Sequence, residues 1–243
     1  MTSLPPPADK PSTSLAPVSR NGRALSTVPT GSTLVMLAEP RSAAAEAYRA
    51  LAANVQFSSG DVQHTIGVTS AAAGEGKSTT VANLAIALAE GGRRVIVVDA
   101  DLRRPGLHTL FGLDNAQGLS NVLLEEQGQL PLQDTVAPGV RVLTSGPVLA
   151  NPLDALASRR LDQVLSQAHA QADFVLVDTA PAGALADAAV IAPRLGGVLL
   201  VVSAGKTKRD AARRAREQLE RVHTNLLGVV LVDVKGADNL YKY

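Results

Sequence analysis

The sequence predicts an α/β fold: a doubly wound, mostly parallel sheet with helices on both faces. Three observations carry that expectation. Short, wholly apolar runs alternate with helical ones along the chain, as in sheets whose crossover helices cover both faces. Between the first such run and its helix stands Gly74-Glu75-Gly76-Lys77-Ser78-Thr79, a glycine-bearing phosphate loop of the P-loop NTPase kind. Of 243 residues 46% are hydrophobic but only 2% aromatic, so Ala, Val and Leu must fill the core.

The elements follow in order. Residues 1–40, with Pro5-Pro6-Pro7, Pro11, Pro17 and Pro29 among Ser, Thr and Ala, have too little apolar surface to offset ordering entropy and are expected to form a disordered tail. Residues 41–235 form the folded domain, and 236–243 a flexible end. A helix is expected over Ser42–Phe57, with Tyr48, Leu51 and Val55 on one stripe. His64–Thr69 reads as a buried strand and Ser78–Ala89 as a helix with Val81, Leu84, Ala85 and Leu88 at helical spacing. Further strands are expected at Arg94–Val98, Val140–Thr144, Phe174–Val177, Val198–Val202 and Leu227–Val232. Helices are expected at Leu119–Glu126, Pro152–Ala170, Asp187–Leu195 and Lys208–His223.

Composition narrows the chemistry. With no cysteine, thiolate metal sites, disulfides and cysteine nucleophiles are excluded. Lys and Arg number 23 against 22 Asp and Glu, so no global field favours nucleic acid. The basic run over Lys206–Arg221 is interrupted by Asp210, Glu217 and Glu220, which reads as a solvated helix. No apolar run approaches the roughly 20 residues that span a bilayer, and no secretory signal is expected.

The phosphate loop implies a nucleoside triphosphate with its magnesium, ATP and Mg²⁺. Ala73, Gly74, Glu75, Gly76, Lys77, Ser78 and Thr79 would surround the phosphates. Lys77 would reach the β- and γ-phosphates, and the Ser78 hydroxyl would ligate the cation. Ala71 stands where the usual pattern has its first glycine. Two strands end in carboxylates: Val95-Ile96-Val97-Val98-Asp99-Ala100-Asp101-Leu102-Arg103 and Phe174-Val175-Leu176-Val177-Asp178-Thr179-Ala180-Pro181. One Asp at a strand end is ordinarily a cap; two such strands beside a phosphate loop suggest metal binding and proton acceptance.

With these motifs the chain resembles the bacterial tyrosine kinases that regulate capsule and exopolysaccharide synthesis, from about Glu46 to its C-terminus. Asp99, Asp101 and Arg103 meet that family's Asp-x-Asp-x-Arg motif, and Asp178-Thr179-x-Pro181 its third. The resemblance implies transfer of the γ-phosphoryl of ATP to protein tyrosines. Lys77, Asp99, Asp101 and Asp178 would be catalytic, with Ser78, Asp101 and Asp178 at the metal and Asp99 orienting and deprotonating the acceptor. It further implies acceptors in a C-terminal tyrosine cluster, here Tyr241 and Tyr243. The implied partner is a membrane-anchored activator, a chain-length-determinant protein, that draws a cytoplasmic kinase to the inner face of the membrane.

Self-association is implied through an early Glu-x-x-Arg-x-x-Arg helix, met by Glu46 and Arg49, with Ala52 in place of the second arginine. Val232 stands where related proteins often carry an asparagine near the adenine, and Ala73 where a proline is common. The alternative is an ATPase switch like the partitioning and septum-positioning proteins. Their loop carries a signature lysine at the position of Ala72.

Overall fold

The computed structural model describes residues 34–58, 64–124 and 129–234. Seven strands, β1 (Thr65–Ser70), β2 (Val95–Asp99), β3 (Gln133–Asp134), β4 (Val140–Leu143), β5 (Phe174–Asp178), β6 (Gly197–Ser203) and β7 (Leu226–Val232), form one sheet in the order β3-β4-β2-β5-β1-β6-β7. Only the β3–β4 pair is antiparallel. The expected doubly wound, mostly parallel sheet is the one observed.

Strand alternation distributes the core between two faces. β2 sends Val95 and Val97 to one face and Ile96 and Val98 to the other; β5 divides Phe174 and Leu176 from Val175 and Val177 in the same way. On the first face lie α1 (Val35–Ala38), α2 (Ala43–Ser58), α3 (Lys77–Glu90) and α4 (Leu107–Phe111). On the second lie α5 (Leu119–Leu124), α6 (Pro152–Ala157), α7 (Arg160–His169), α8 (Asp187–Ile191) and α9 (Arg209–Arg221). α3 is buried at Lys77 and at nine successive positions from Thr80 to Leu88, which explains why its Ala-rich sequence is apolar nearly all round.

Two expectations are corrected. The helix expected over Pro152–Ala170 is broken: Ser158 adopts extended backbone between α6 and α7. The carbonyls released there are taken up by the Arg194 guanidinium, which donates to Leu156, Ala157 and Ser158. A helix end can stop without a local cap when a distant donor serves its last carbonyls. Of the tail expected over residues 1–40, residues 1–33 lie outside the described residues, while Val35–Ala38 form the helix α1 instead. Leu34 and Met36 are 1% exposed and join the core.

Asn83 of α3 anchors that N-terminal turn. Its Oδ1 accepts the Met36 N–H (3.1 Å) and its amide donates to the Thr79 carbonyl (2.9 Å). A buried donor deprived of its acceptor costs about 1–3 kcal/mol. Asn83→Ala is therefore expected to lower stability by that order in urea titrations and to speed amide exchange over residues 34–38. Unchanged exchange there would show that the turn is held by packing alone.

Candidate active site

The site is made where three neighbouring strands stop. β2, β5 and β1 lie side by side, with Asp99 in register with Asp178 and Asp178 with Val68. The two carboxylates therefore stand next to each other beside the chain entering the phosphate loop, beyond the carboxyl ends of the strands, where such sheets bind ligands. Threonines lace β5 to β1: Thr69 Oγ1 donates to the Ala180 carbonyl (2.9 Å) and Thr179 Oγ1 to that of Val68 (3.1 Å).

The loop turns through left-handed backbone at Gly74 (φ +75°) and Gly76 (φ +82°), which a side chain would strain. α3 then begins at Lys77, so its unpaired N-terminal N–H groups and dipole face the loop. A cavity of about 690 Å³ opens in front, lined by Ala73, Gly74, Gly76, Lys77, Ser78, Thr79 and Asp101, with Arg103 and Arg104 at one side and Pro181 and Leu185 at another. That volume lies within the usual range for ligand sites.

Three oxygens converge on the Lys77 ammonium: Asp101 Oδ2 at 2.7 Å, Asp178 Oδ1 at 3.5 Å and, as a hydrogen-bond acceptor, Ser78 Oγ at 3.3 Å. Asp178 is fully buried and neither of its oxygens has a hydrogen-bond partner. Among the described residues no three His, Asp or Glu side chains form a metal cage. A serine and two carboxylates gathered on one positive charge instead fit a hard divalent cation that completes its shell with water and nucleotide oxygens.

The titration of the site follows from burial. Burial, with Asp178 beside it, pushes the Asp99 carboxyl up to about 8, against a backbone N–H from Leu107 and the Lys77 charge. Burial likewise raises Asp178 to about 6, with Lys77 pulling it back. Burial works to lower Lys77, but Asp178 and Asp101 outweigh it and the ammonium is held above its ordinary value. Lys77 is thus the charge that opposes the protonation burial favours at Asp178 and Asp99.

The expected residues are placed unequally. Asp101 reaches the cavity, its other oxygen accepting the Arg104 N–H (3.0 Å). Asp99 lies behind: it is wholly buried, and its Oδ2 accepts the Gly106 and Leu107 N–H groups at the start of α4 (3.2 and 3.1 Å). Of the two carboxylates in that motif, Asp101 lines the cavity and Asp99 does not. Glu75 turns its side chain away from the cavity, toward Thr207. Arg103 makes a two-pronged pair with buried Asp187 of α8 (2.7 and 3.1 Å), a partner 84 residues away that sequence spacing could not show.

Away from the cavity, Arg49 of α2 pairs with Glu46, Glu90 (2.9 Å) and the Pro40 carbonyl (2.9 Å). Ala52 is buried in the core, so position 52 does not face outward. In α9, Arg216 pairs with Glu220 (2.7 Å), as the interspersed charges suggested. Among the described residues no helix is long and apolar enough to cross a membrane. Tyr241 and Tyr243 lie outside the described residues.

The ParA family model, described as NUBPL iron-transfer P-loop NTPase, matches residues 61–232. Tyrosine-protein kinase YwqD of Bacillus subtilis (strain 168) is 40% identical over 200 residues, covering 82% of this chain and 84% of that protein. The chain belongs to the bacterial tyrosine kinases. The kinase superposes on the kinase domain of Escherichia coli tyrosine kinase ETK with a TM-score of 0.81 at 31% identity, over 91% of this chain and 86% of that one. The septum site-determining protein MinD of Pyrococcus horikoshii OT3, complexed with Mg-ADP, is more distant, with a TM-score of 0.58 at 26% identity over 69% of each chain. The kinase is thus a protein-tyrosine kinase built on a P-loop NTPase fold. Having no cysteine, it has no thiolate with which to hold iron.

Proposed function

We propose that this kinase transfers the γ-phosphoryl of Mg-ATP to Tyr241 and Tyr243 of its own kind, one copy serving another, as part of the control of capsule or exopolysaccharide synthesis. The observation that carries this reading is the gathering of Ser78, Asp101 and Asp178 around Lys77 on the cavity floor. Loop N–H groups and Lys77 take the phosphates and stabilise charge spreading onto the transferred group. Ser78, Asp101 and Asp178 would hold magnesium or its waters, which supplies further neutralisation of that charge. The tyrosine oxygen bonds to the γ-phosphorus as its bond to the bridging oxygen breaks and ADP departs. Asp101, which lines the cavity, accepts the hydroxyl proton in place of Asp99.

The root of the tail supports the choice of acceptor. β7 ends beside the phosphate loop, Val232 Cγ2 lying 3.6 Å from where a Cβ on Gly76 would stand. From Val234 the chain continues for nine residues, enough to span roughly 30 Å when extended. A membrane-anchored activator of the chain-length-determinant class and self-association through the Glu46–Arg49 face complete the proposal. Nucleic acid has no part in it.

Phosphotyrosine mapping after incubation with Mg-ATP and the candidate activator tests the reading. Wild type should carry phosphate on Tyr241 or Tyr243, and Tyr241→Phe/Tyr243→Phe should lose at least about nine-tenths of it while still binding nucleotide. The likeness to MinD favours one other reading, an ATPase switch, against which Ala72 counts. ATP hydrolysis with no phosphotyrosine under any activator would move the assignment there.

A further inference from the structure

A carboxylate inside a phosphate loop works against the loop's purpose, since it brings negative charge toward an anion. Glu75 nevertheless sits between Gly74 and Gly76, 5% exposed, and its bonds lead away from the cavity. Oε2 accepts the Ala72 N–H (2.8 Å) across the base of the loop, and Oε1 accepts the Thr207 hydroxyl (2.6 Å) from the turn between β6 and α9. Thr207 Oγ1 in turn accepts the Ser203 N–H (2.9 Å), and Ser203 Oγ donates to Asp233 Oδ2 (2.6 Å) just past β7. Asp233 is itself held at φ +58°, an uncommon conformation outside glycine.

The loop needs such an anchor. Its first residues are fixed by Ser70 Oγ on the Ala72 carbonyl (2.7 Å) and by close packing of Gly183 on Ala71. Its middle has no comparable contact: a Cβ on Gly74 would meet nothing within 4 Å, and one on Gly76 only Val232. Glycines leave many backbone states open, and each unproductive state lowers apparent nucleotide affinity by the fraction of time it is occupied.

The geometry points to Glu75 and Thr207 as positioning residues: they brace the phosphate loop from behind, fastening it to the ends of β6 and β7, and thereby set its affinity for Mg-nucleotide without touching the reacting atoms. This rests on the phosphate-loop reading of the site, not on the identity of the acceptor tyrosine. Thr207→Val keeps shape and loses the hydroxyl; Thr207→Ser restores it.

The experiment is calorimetric Mg-ADP binding to the full chain, with KM and kcat for ATP turnover alongside. If the braced fraction falls to about a tenth, Thr207→Val should weaken Mg-ADP binding about tenfold and raise KM for ATP similarly, with kcat within about twofold. Thr207→Ser should return both constants to within about twofold of wild type. In a Glu75→Ala background, Thr207→Val should weaken Mg-ADP binding by no more than about twofold further, because Thr207 reaches the loop only through its bond to Glu75. Wild-type affinity in Thr207→Val, a loss confined to kcat, no rescue by serine, or additive effects in the double variant would each overturn the brace. Absent phosphotyrosine with these binding results intact would defeat the tail reading and leave the brace standing.

Discussion

Lys77→Ala is expected to lower ATP-dependent tyrosine phosphorylation by about 10²–10³-fold, the usual consequence of removing one donor aimed at transition-state charge. The same substitution has a second effect that a purely catalytic lysine would not show. Asp101 and Asp178 lose the ammonium at 2.7 and 3.5 Å, and breaking a buried pair typically costs about 3–5 kcal/mol. Proton uptake softens that loss, so the variant should unfold at lower temperature than wild type at pH 8 and more nearly alike at pH 6. Phosphotyrosine blots and thermal scans at the two pH values check both halves. Full phosphorylation would remove Lys77 from the mechanism; an equal drop in Tm at both pH values would show that the aspartates do not depend on it for their charge.

Asp99→Asn is expected to stabilise the nucleotide-free protein while lowering its activity. An unfolded aspartate releases its proton near 3.8, but the folded one keeps it to about 8. Between those values the folded state binds more protons, so this group's contribution is fully present below about pH 4 and is lost as pH rises toward 8. Asp178, raised to about 6, adds to the slope over the lower part of that window. A neutral amide can still accept from Gly106 and Leu107 and never ionises. Stability at pH 7.5–8 should rise by about 1–3 kcal/mol, roughly 3–9 °C in a domain of this size, and its fall between pH 5 and 8 should flatten. Asp101→Asn, at a carboxylate that lines the cavity, should lose more phosphorylation than Asp99→Asn. A larger loss at 99, or lower stability in Asp99→Asn at pH 8, would reverse the assignment.

Much of this was legible in the sequence because it is local. Val95–Val98 and Phe174–Val177 are wholly apolar runs ending in Asp, and parallel pairing alone brings Asp99 and Asp178 side by side. The phosphate loop is equally local, since its glycines and Lys77 act within six residues. What was not legible depends on distant partners. The break between α6 and α7 is served by Arg194, and Arg103 is tied to Asp187; neither pairing leaves a periodic trace. Leu34 and Met36 belong to the core because Asn83 receives their turn, and a proline-rich neighbourhood conceals two buried apolar residues. Asp99 and Asp101 look equivalent as letters, yet Asp99 ends β2 with its carboxylate under the start of α4, while Asp101 stands past the strand's end and lines the cavity.

The strand order has a consequence for how the molecule comes into being. β1 carries the phosphate loop but lies between β5 and β6, so Ile66 meets Leu176 and Gly197 only across more than a hundred intervening residues. Such non-local pairing is reached slowly, because a long loop must close before any contact rewards it. During synthesis the first half of the chain therefore emerges with its nucleotide loop unsupported, and a nascent chain released before about residue 203 should not retain ATP. Nucleotide capture is thus a late event in folding, and ATP present during refolding should slow unfolding more than it speeds assembly.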